Sequence, residues 1–332
     1  SGERIYINTG ARPVSPPVPG LDEVPWLDNS QLLDLEELPS HLLVLGGGYI
    51  GLEFAQIFRR FGSGVTIVQR GDQLMPREDR DVAEAIQSFL EEEGITVHLQ
   101  AETRQVRGRN GSVQLDIEKA GSKKVDSEIT LQGSHLLLAT GRKPNSDGLA
   151  LEKTGIAVNN RGYIEVDDYC RSSVEGVFAL GDVNGKGAFT HTSVNDAEIV
   201  LDHLYGGKRK ISDRIPIYAL FTDPPLGRVG MTEKEALKQG KRVLRSTMPM
   251  NKISRAKEMG EATGFAKLLV DGETDLILGA SILGPGGDEI INMFAAIMHS
   301  GISCREYRRV GLVHPTVSEL MPFILDGLEE VE

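Results

Sequence analysis

The chain has 332 residues, of which 40% are apolar and 25% are charged, and its formal net charge is −12. This length suffices for two or three globular domains, the acidic charge argues against a nucleic-acid binder, and no run approaches the ~20 apolar residues of a membrane span. The two cysteines, Cys170 and Cys304, form no CxxC or CxxxxC motif. We therefore exclude a disulfide scaffold and interpret both as structural thiols of a cytoplasmic protein, in preference to catalytic thiols.

The first 38 residues read as an incomplete domain. Residues 4–8 predict a strand that has no hairpin partner nearby, and five prolines between positions 13 and 25 indicate an extended connection. We therefore expect that the first part of this domain is missing from the sequence.

The stretch 43–53, LVLGGGYIGLE, is an apolar run followed by G-x-G-x-x-G and the start of a helical pattern. In such a unit Gly46 permits a tight turn, Gly48 lets the backbone approach a phosphate, and Gly51 allows close packing of helix and strand. A second apolar run at 65–68 follows at Rossmann spacing. The sequence therefore predicts a dinucleotide site over 46–51, including Ile50, rather than a plain glycine-rich loop.

The following elements fit an α/β domain and then an α+β domain. Residues 79–93 have helical periodicity, 95–99 predict a strand, and Asn110-Gly111 predicts a hairpin between 105–109 and 112–118. Two buried strands end near 141 and 181, and a helix is predicted from about 193 to 205. Beyond 213 we predict strands at 264–270 and 276–283 and helices at 232–239 and 286–300, the former opened by a Thr232–Glu235 capping box.

Cofactor choice depends on the end of the second apolar strand. NAD enzymes place an acid there for the ribose 2′-hydroxyl, whereas arginine suits the 2′-phosphate of NADP. Here the strand ends in Gln69 and Arg70, with Arg77 a short loop later. We therefore favour NADPH over NADH, the alternative being that both arginines are solvated loop charges.

The motifs together resemble the class I pyridine nucleotide–disulfide oxidoreductases, which include dihydrolipoamide dehydrogenase, glutathione reductase and mercuric reductase. NTGARP at 8–13, ATGR at 139–142 and LGD at 180–182 look like FAD segments of that family, and FTDPPLGRVG at 221–230 and HPTVSE at 314–319 look like its dimerisation domain. The wording of the C-terminal part is nearest to the mercuric-reductase-like and reactive-chlorine-resistance-type branch.

The resemblance implies an α/β fold of three parts. These are a remnant of the FAD-binding domain at 1–38 and 136–212, a Rossmann-like NAD(P)-binding domain at 39–135, and an α+β dimerisation domain at 213–332. The first FAD half of the family, with its own glycine motif and redox-active CxxxxC, is not in this sequence. The FAD site is therefore expected to be incomplete, and the absent C-terminal cysteine pair gives no support for mercury reduction.

Roles at the nicotinamide and flavin follow from the same resemblance. Tyr49 would be the gate that covers the flavin until nicotinamide displaces it, and Glu53 would lie near the nicotinamide ring. The alternatives are a half-buried aromatic residue for Tyr49 and a first-turn acid favoured by the helix dipole for Glu53.

Five further positions would serve the flavin. Asp182, with Gly141 and Gly181 in the two FAD segments, would bind the ribityl or pyrophosphate region. Thr190 and His191 would precede a helix whose N-terminus faces the flavin ring, where it stabilises negative charge. A capping or core histidine is the alternative for His191.

His314 and Glu319 would form the acid–base pair that serves thiol chemistry in the partner subunit. Histidine transfers protons near neutral pH, and a carboxylate orients it. The competing interpretation is a capping box over 316–319, in which Glu319 only caps a helix.

The expected function is an FAD-dependent NAD(P)H oxidoreductase that forms a homodimer, with no metal site. Hydride would pass to flavin and electrons through a disulfide to a small-molecule acceptor. A non-catalytic nucleotide-binding and dimerising fragment is the alternative. A relative of NADH oxidases or ferredoxin reductases fits less well, because those usually lack the motif at 314–319.

Overall fold

The computed structural model describes residues 2–109, 111–120 and 128–331. Its strands, numbered β1–β17 in chain order, are Ile5–Ile7, Ala11–Pro13, His41–Leu45, Gly64–Val68, Thr96–His98, Ala101–Arg109, Ser112–Lys119, Glu128–Gly133, His135–Leu138, Arg142–Pro144, Val177–Ala179, Ile217–Leu220, Leu226–Gly230, Val243–Pro249, Phe265–Asp271, Ile277–Leu283 and Glu329–Glu330. The α-helices, α1–α8, are Asn29–Leu33, Tyr49–Arg60, Arg80–Glu92, Thr190–Leu204, Glu233–Lys238, Ser254–Met259, Gly287–Ser300 and Cys304–Tyr307. Short 3-10 helices are Leu21–Glu23, Asp147–Leu149, Leu151–Lys153, Gly181–Asn184, Ile211–Asp213, Met250–Lys252 and Ser318–Gly327.

The chain divides into two compact units. The first unit joins the residues up to Ser15 with Thr140–Arg214, and the second unit joins Pro16–Ala139 with the residues from Ile215 onward. The sequence assigns 16–38 and 136–139 to the FAD-domain remnant, whereas the structure groups them with the dinucleotide-binding region. The reason is that β9 pairs with β3, and that Leu27 bridges to Leu137 of β9.

A four-stranded parallel sheet of order β5-β4-β3-β9 forms the dinucleotide-binding region of the second unit. Strand β3 lies in the middle, and four of its five residues are buried because the sheet is covered on both faces. Helices α2 and α3 pack their apolar residues onto this sheet, in one core with Leu42, Val44 and Ile67. The chain therefore leaves β3 at a point where the strand order reverses, which is where open α/β sheets bind nucleotides.

A three-stranded antiparallel meander, β6-β7-β8, follows the parallel sheet. Its inward residues, such as Val113 and Leu115, are buried with Leu43 and Leu136. The predicted hairpin is confirmed by the pairing of β6 with β7. The predicted turn residue Asn110 lies outside the described residues.

The C-terminal domain of the second unit, which begins at Ile215, is built on a six-stranded antiparallel sheet of order β12-β13-β16-β15-β14-β17. Helix α7 packs on this sheet through Ile291 and Phe294. The predicted α+β architecture is confirmed, as is the capping box, in which Thr232 accepts from the Glu235 N–H at 3.1 Å and Glu235 accepts from the Thr232 N–H at 2.9 Å.

The first unit contains two small strand pairs and helix α4. Strand β1 pairs in parallel with β11, so the strand predicted at 4–8 has a partner far away in sequence, and β2 pairs with β10. Among the described residues, no helix combines the length and the apolar character needed to cross a membrane.

Candidate functional site

The glycine loop joins β3 to α2. Gly46 has φ of +114°, a conformation that favours glycine, and Gly48 is the N-cap of α2 without a side-chain cap. A Cβ at Gly48 would meet no atom within 4 Å, whereas a Cβ at Gly51 would collide with the Gly46 carbonyl oxygen. The loop thus has open space over Gly48 and tight packing beneath Gly51, and Ile50 lies partly buried in the same turn.

Glu53 connects α2 to the C-terminal domain. Its carboxylate accepts a hydrogen bond from the Phe221 backbone N–H at 2.9 Å. Burial raises the pKa of Glu53, and the bond from Phe221 opposes that shift. The first turn of α2 contains no acid, so the interpretation of Glu53 as a first-turn dipole partner is wrong.

Tyr49, the first residue of α2, packs edge-on against Tyr218 of β12. The ring centroids are 5.5 Å apart and the ring planes are perpendicular. Burial is the main cause that raises the pKa of Tyr49. The ring is therefore a neutral, partly buried group in contact with the C-terminal domain.

The end of β4 carries the residues on which cofactor choice depends. Gln69 accepts from the Gly47 N–H at 3.2 Å and donates to the Gln73 carbonyl at 3.2 Å, so its amide supports the glycine loop. Arg70 and Arg77 are both exposed. Arg77 lines a cavity of about 600 Å³, and its charge acts on Tyr49. The two arginines therefore differ in their surroundings.

In the first unit, the Gly141 and Gly181 turns both have positive φ, +130° and +70°. A Cβ at Gly141 would meet no atom within 4 Å. Asp182 lies 3.8 Å from the Arg142 guanidinium, and its side chain is 23% exposed. An open glycine beside a partly exposed carboxylate suits the polar part of a large ligand.

The Gly181 turn is held by a buried carboxylate that sequence analysis did not identify. Asp196 of α4 is fully buried and accepts from the Gly181 N–H at 2.8 Å and from the Asn184 amide at 2.9 Å, and it pairs with Arg214. The signal available in the sequence was an acidic residue, Asp196, in the middle of the predicted helix.

Helix α4 begins at Thr190, three residues before the predicted start at 193. Thr190 and His191 are thus in its first turn rather than ahead of it. His191 is exposed and its ring stacks on Phe189, the N-cap, at 5.4 Å, and that cap makes no side-chain hydrogen bond. The interpretation of His191 as a core histidine is therefore wrong, and the N-cap residue is Phe189 and not His191.

His314 and Glu319 form a hydrogen-bonded pair. The His314 Nδ1 lies 2.9 Å and 3.1 Å from the two Glu319 carboxylate oxygens, and the side chains are 77% and 12% exposed. The predicted capping box is wrong, because the Thr316 hydroxyl donates to the Val313 carbonyl and the 3-10 helix at 318–327 has no side-chain cap. With Nδ1–H donated to the carboxylate, Nε2 is left for proton transfer.

Sequence analysis also missed a cluster of buried charges at the face where the C-terminal domain meets the dinucleotide-binding region. The Tyr218 hydroxyl donates to Glu78 at 2.7 Å, and Glu78 lies 3.6 Å from the Arg228 Nε. The side chains of Glu78 and Arg228 are 0% and 1% exposed. Burial raises the pKa of Glu78, while Tyr218 and Arg228 lower it.

Lys267 is the second buried cation of this face. Its ammonium group lies 2.9–3.2 Å from the carboxylates of Asp79, Asp81 and Glu233. A charged residue with apolar neighbours inside a buried strand, as at 228 in β13 and 267 in β15, was the signal that could have identified these groups.

Both cysteines are free and buried. Burial raises the pKa of Cys170 and of Cys304 to about 12. Thiolate is therefore scarce near neutral pH, as expected for structural thiols.

Comparison with known proteins gives a consistent result. Residues 2–197 match the pyridine nucleotide-disulphide oxidoreductase family, and residues 217–322 match the dimerisation domain of that family. The probable pyridine nucleotide-disulfide oxidoreductase RclA of Escherichia coli is 42% identical over 96% of this chain and 71% of its own length. A mercuric reductase of Bacillus cereus is 32% identical over 96% of this chain and 50% of its own length.

A solved structure supports the same assignment. The HOCl-induced flavoprotein disulfide reductase RclA from Escherichia coli superposes with a TM-score of 0.88 at 40% identity, and the match covers 98% of this chain and 73% of that one. The resemblance and the fold class inferred from the sequence are thereby confirmed.

Proposed function

Because this chain belongs to the pyridine nucleotide-disulphide oxidoreductase family, we propose that it binds NADPH and takes part in electron transfer through FAD to a small-molecule acceptor. At the level of the family, the activity is that of an FAD-dependent NAD(P)H oxidoreductase. The proposal adds three details: the preference for NADPH, the residues that bind the cofactors and transfer protons, and a small molecule as the acceptor.

The observation that carries the proposal is the geometry of the glycine loop. Space over Gly48 and the first turn of α2 offer a pyrophosphate the backbone N–H groups and the positive end of a 12-residue helix. Substituting Gly51 would force the helix away from Gly46. The residues present therefore fit a dinucleotide.

Residues of the first unit fit part of an FAD site. Gly141, Gly181 and Asp182 would bind its polar chain, and the first turn of α4, with Thr190 and His191, would lie toward its ring. Bound FAD would accept a hydride from the nicotinamide and release electrons to the acceptor. The protein's own contribution is to hold Asp182 and the Gly181 turn in place, through Asp196.

Arg70 supports the preference for NADPH. It is exposed directly after the strand end where a Rossmann unit selects its ribose, and the preceding Gln69 carries no charge. A guanidinium pairs with a phosphate dianion through charge-assisted bonds. Arg77 is the less favoured phosphate ligand, since it lines a cavity together with Glu78 and Asp79, whose carboxylates would repel a phosphate.

His314 and Glu319 would supply the acid–base chemistry. Glu319 orients the ring through Nδ1, and the exposed ring would serve the active site of a second subunit. A homodimer of isologous type is therefore part of the proposal, as is an acceptor that releases or takes up protons. The cytoplasmic location stays a prediction.

The first test is a visible absorption spectrum of the purified protein together with its intact mass. A flavin band in a sample of the mass expected for 332 residues, with NADPH-dependent dye reduction, is the expected result. A colourless sample of that mass would contradict the redox function of this chain and would leave the alternative, a nucleotide-binding and dimerising module.

The second test separates the two arginines. Arg70→Gln should weaken NADPH binding about tenfold and leave NADH binding unchanged, because only the 2′-phosphate contact is lost. Arg77→Gln is the matched control and should change NADPH binding by less than about threefold. Equal effects on NADPH and NADH would refute the role of Arg70.

A further inference from the structure

Tyr49 does not stand alone at the glycine loop, because its ring rests edge-on against Tyr218. Tyr218 belongs to β12, at the edge of the C-terminal sheet, whereas Tyr49 opens α2 of the dinucleotide-binding region. Any movement of the Tyr49 ring away from its present place must break this contact. The C-terminal domain thus has a direct hold on the first residue of the nucleotide-binding helix.

The hydroxyl group of Tyr218 is held in place by a buried carboxylate. Its hydroxyl donates to Glu78 at 2.7 Å, and Glu78 faces the guanidinium of Arg228. Arg228 is in turn anchored by Nη1, which donates to the Val229 and Ala280 carbonyls at 3.0 and 2.9 Å. Glu78 and Arg228 are nine-tenths buried or more, so the hydroxyl of Tyr218 is tied to a rigid base.

The same atoms show why this arrangement is more than packing. Glu78 Oε2 and the Nε and Nη2 atoms of Arg228 have no hydrogen-bond partner. Buried polar atoms without a hydrogen bond are costly even where they face an opposite charge, as Glu78 Oε2 and Arg228 Nε do at 3.6 Å, and a purely structural contact would be satisfied as well by apolar side chains of similar volume. What the arrangement provides is a fixed carboxylate that accepts from the Tyr218 hydroxyl and also acts on the Tyr49 hydroxyl.

We propose that Tyr218 is a positioning residue that holds the Tyr49 ring in its nucleotide-free place and thereby sets the cost of nicotinamide entry. The inference rests on the proposed function, in which nicotinamide displaces Tyr49. A ligand that needs a minor state binds more weakly by the fraction of protein in that state. Loosening the ring should therefore strengthen the binding of a dinucleotide that carries nicotinamide.

The experiment compares two ligands by isothermal titration calorimetry. NADP⁺ carries the nicotinamide, whereas 2′,5′-ADP carries only the adenosine half and need not displace Tyr49. Tyr218→Leu should lower the Kd of NADP⁺ about twofold to tenfold, the range expected for one lost aromatic pair, and leave the Kd of 2′,5′-ADP unchanged. NAD⁺ and ADP serve as a second ligand pair. Because neither carries a 2′-phosphate, the outcome does not depend on whether Arg70 binds that group.

A conservative variant, a double variant and a control variant keep the test decisive. Tyr218→Phe keeps the ring and loses the bond to Glu78, so it should shift the Kd of NADP⁺ in the same direction by a smaller factor, even if Tyr218→Leu fails to fold. In a Tyr49→Leu background, Tyr218→Leu should have no effect on NADP⁺. Tyr205→Leu, at an 89% exposed ring, is the control that should change nothing.

The outcomes separate the inference from the proposed function. A wild-type protein that binds neither dinucleotide would overturn both. A wild-type protein that binds NADP⁺, with an unchanged or raised Kd in the Tyr218 variants, an equal change for 2′,5′-ADP, or an effect that persists without Tyr49, would overturn only the positioning role.

Discussion

The C-terminal domain carries charged side chains in two contrasting regions. At the face packed against the dinucleotide-binding region, Lys267 is 2% exposed and lies among three carboxylates. At residues 314–319, the His314 side chain is 77% exposed and has one carboxylate partner, Glu319. Burial and three ionic partners make Lys267 costly to change, whereas exposure makes His314 cheap to change and open to chemistry.

This contrast teaches how to separate structural from functional charges in the same domain. Charge alone does not distinguish the two regions, since both contain ion pairs at about 3 Å. The two regions are distinguished by the number of ionic partners and by the burial of the charged side chain. If the contrast holds, stability and activity respond to different substitutions.

The largest expected effect is on stability, at Lys267. Lys267→Met removes the buried cation from three carboxylates, of which Asp79 is 8% and Glu233 20% exposed, so the free energy of unfolding should fall by about 3 kcal/mol. Urea denaturation at pH 7 measures it, and Lys238→Met, at an exposed lysine of α5, is the matched control. A loss below about 1 kcal/mol would mean that the cluster is solvated and that the contrast with His314 is false.

The same pair of proteins has a defined pH dependence. Burial on its own lowers the pKa of Lys267, but the three carboxylates together raise it above its usual value of 10.5. A raised lysine pKa means that the stabilisation is complete below 10.5 and is lost as the pH rises through the folded-state pKa. The difference between wild type and Lys267→Met should therefore be constant at neutral pH and shrink only in alkali.

The next effect is on activity, at His314. When the chain is joined to the family's first FAD half with its redox-active CxxxxC, His314→Gln should lower NADPH-dependent reduction of a disulfide acceptor by on the order of 10²-fold, because proton transfer at Nε2 to that thiol pair is lost. Dye reduction, which needs no thiol acid–base group, should stay the same. Stability should change by less than about 0.5 kcal/mol, as for the control His299→Gln at another exposed histidine. Equal losses in both assays would assign His314 to structure instead.

Glu319 should give a smaller loss in the same assay. Glu319→Gln keeps the shape but removes the charge that fixes the Nδ1–H of His314, so disulfide reduction should fall about tenfold, less than without the histidine. The double variant with His314→Gln should be no slower than His314→Gln alone. Additive losses would show that the carboxylate acts independently of the ring.

Much of the fold could be predicted from local patterns, because the signals are local. The glycine loop between β3 and α2, the hairpin of β6 and β7 and the capping box at Thr232 each depend on residues a few positions apart. The wrong interpretations were also local patterns. A Thr-x-x-Glu spacing at 316–319 has the form of a capping box, but Glu319 turns to His314 instead.

The buried charges could not be predicted in the same way. Tyr218 bonds to Glu78 across 140 residues, and Lys267 bonds to Asp81 across 186. Periodicity carries no information on such pairs, since they depend on how the C-terminal sheet packs on the dinucleotide-binding region. A charged residue with apolar neighbours in a buried strand indicates that a partner exists without indicating which residue it is.

The smallest expected effect is on stability, at Glu53, which lies where the C-terminal domain packs against the dinucleotide-binding region. This carboxylate accepts one N–H bond, from Phe221, and burial raises its pKa above the usual 4.5. Unlike Lys267, Glu53 makes no ion pair among those found in the described residues. The desolvation of its charge is therefore not offset by a cation. Glu53→Gln keeps the acceptor and removes the charge, and it should leave stability unchanged or raise it by less than about 1 kcal/mol at pH 7.

The sign of the pH dependence distinguishes this explanation from a simple packing effect. For a carboxyl group with a raised pKa, the protonated form is favoured in the folded state. Wild type should therefore match Glu53→Gln below pH 4.5 and lose stability relative to it as the pH rises through the folded-state pKa of Glu53. Thermal unfolding of both proteins from pH 4 to pH 8 measures the difference. A variant that is less stable by the same amount at every pH would show that the difference does not depend on the ionisation of Glu53, and that the effect is one of packing and hydrogen-bond geometry.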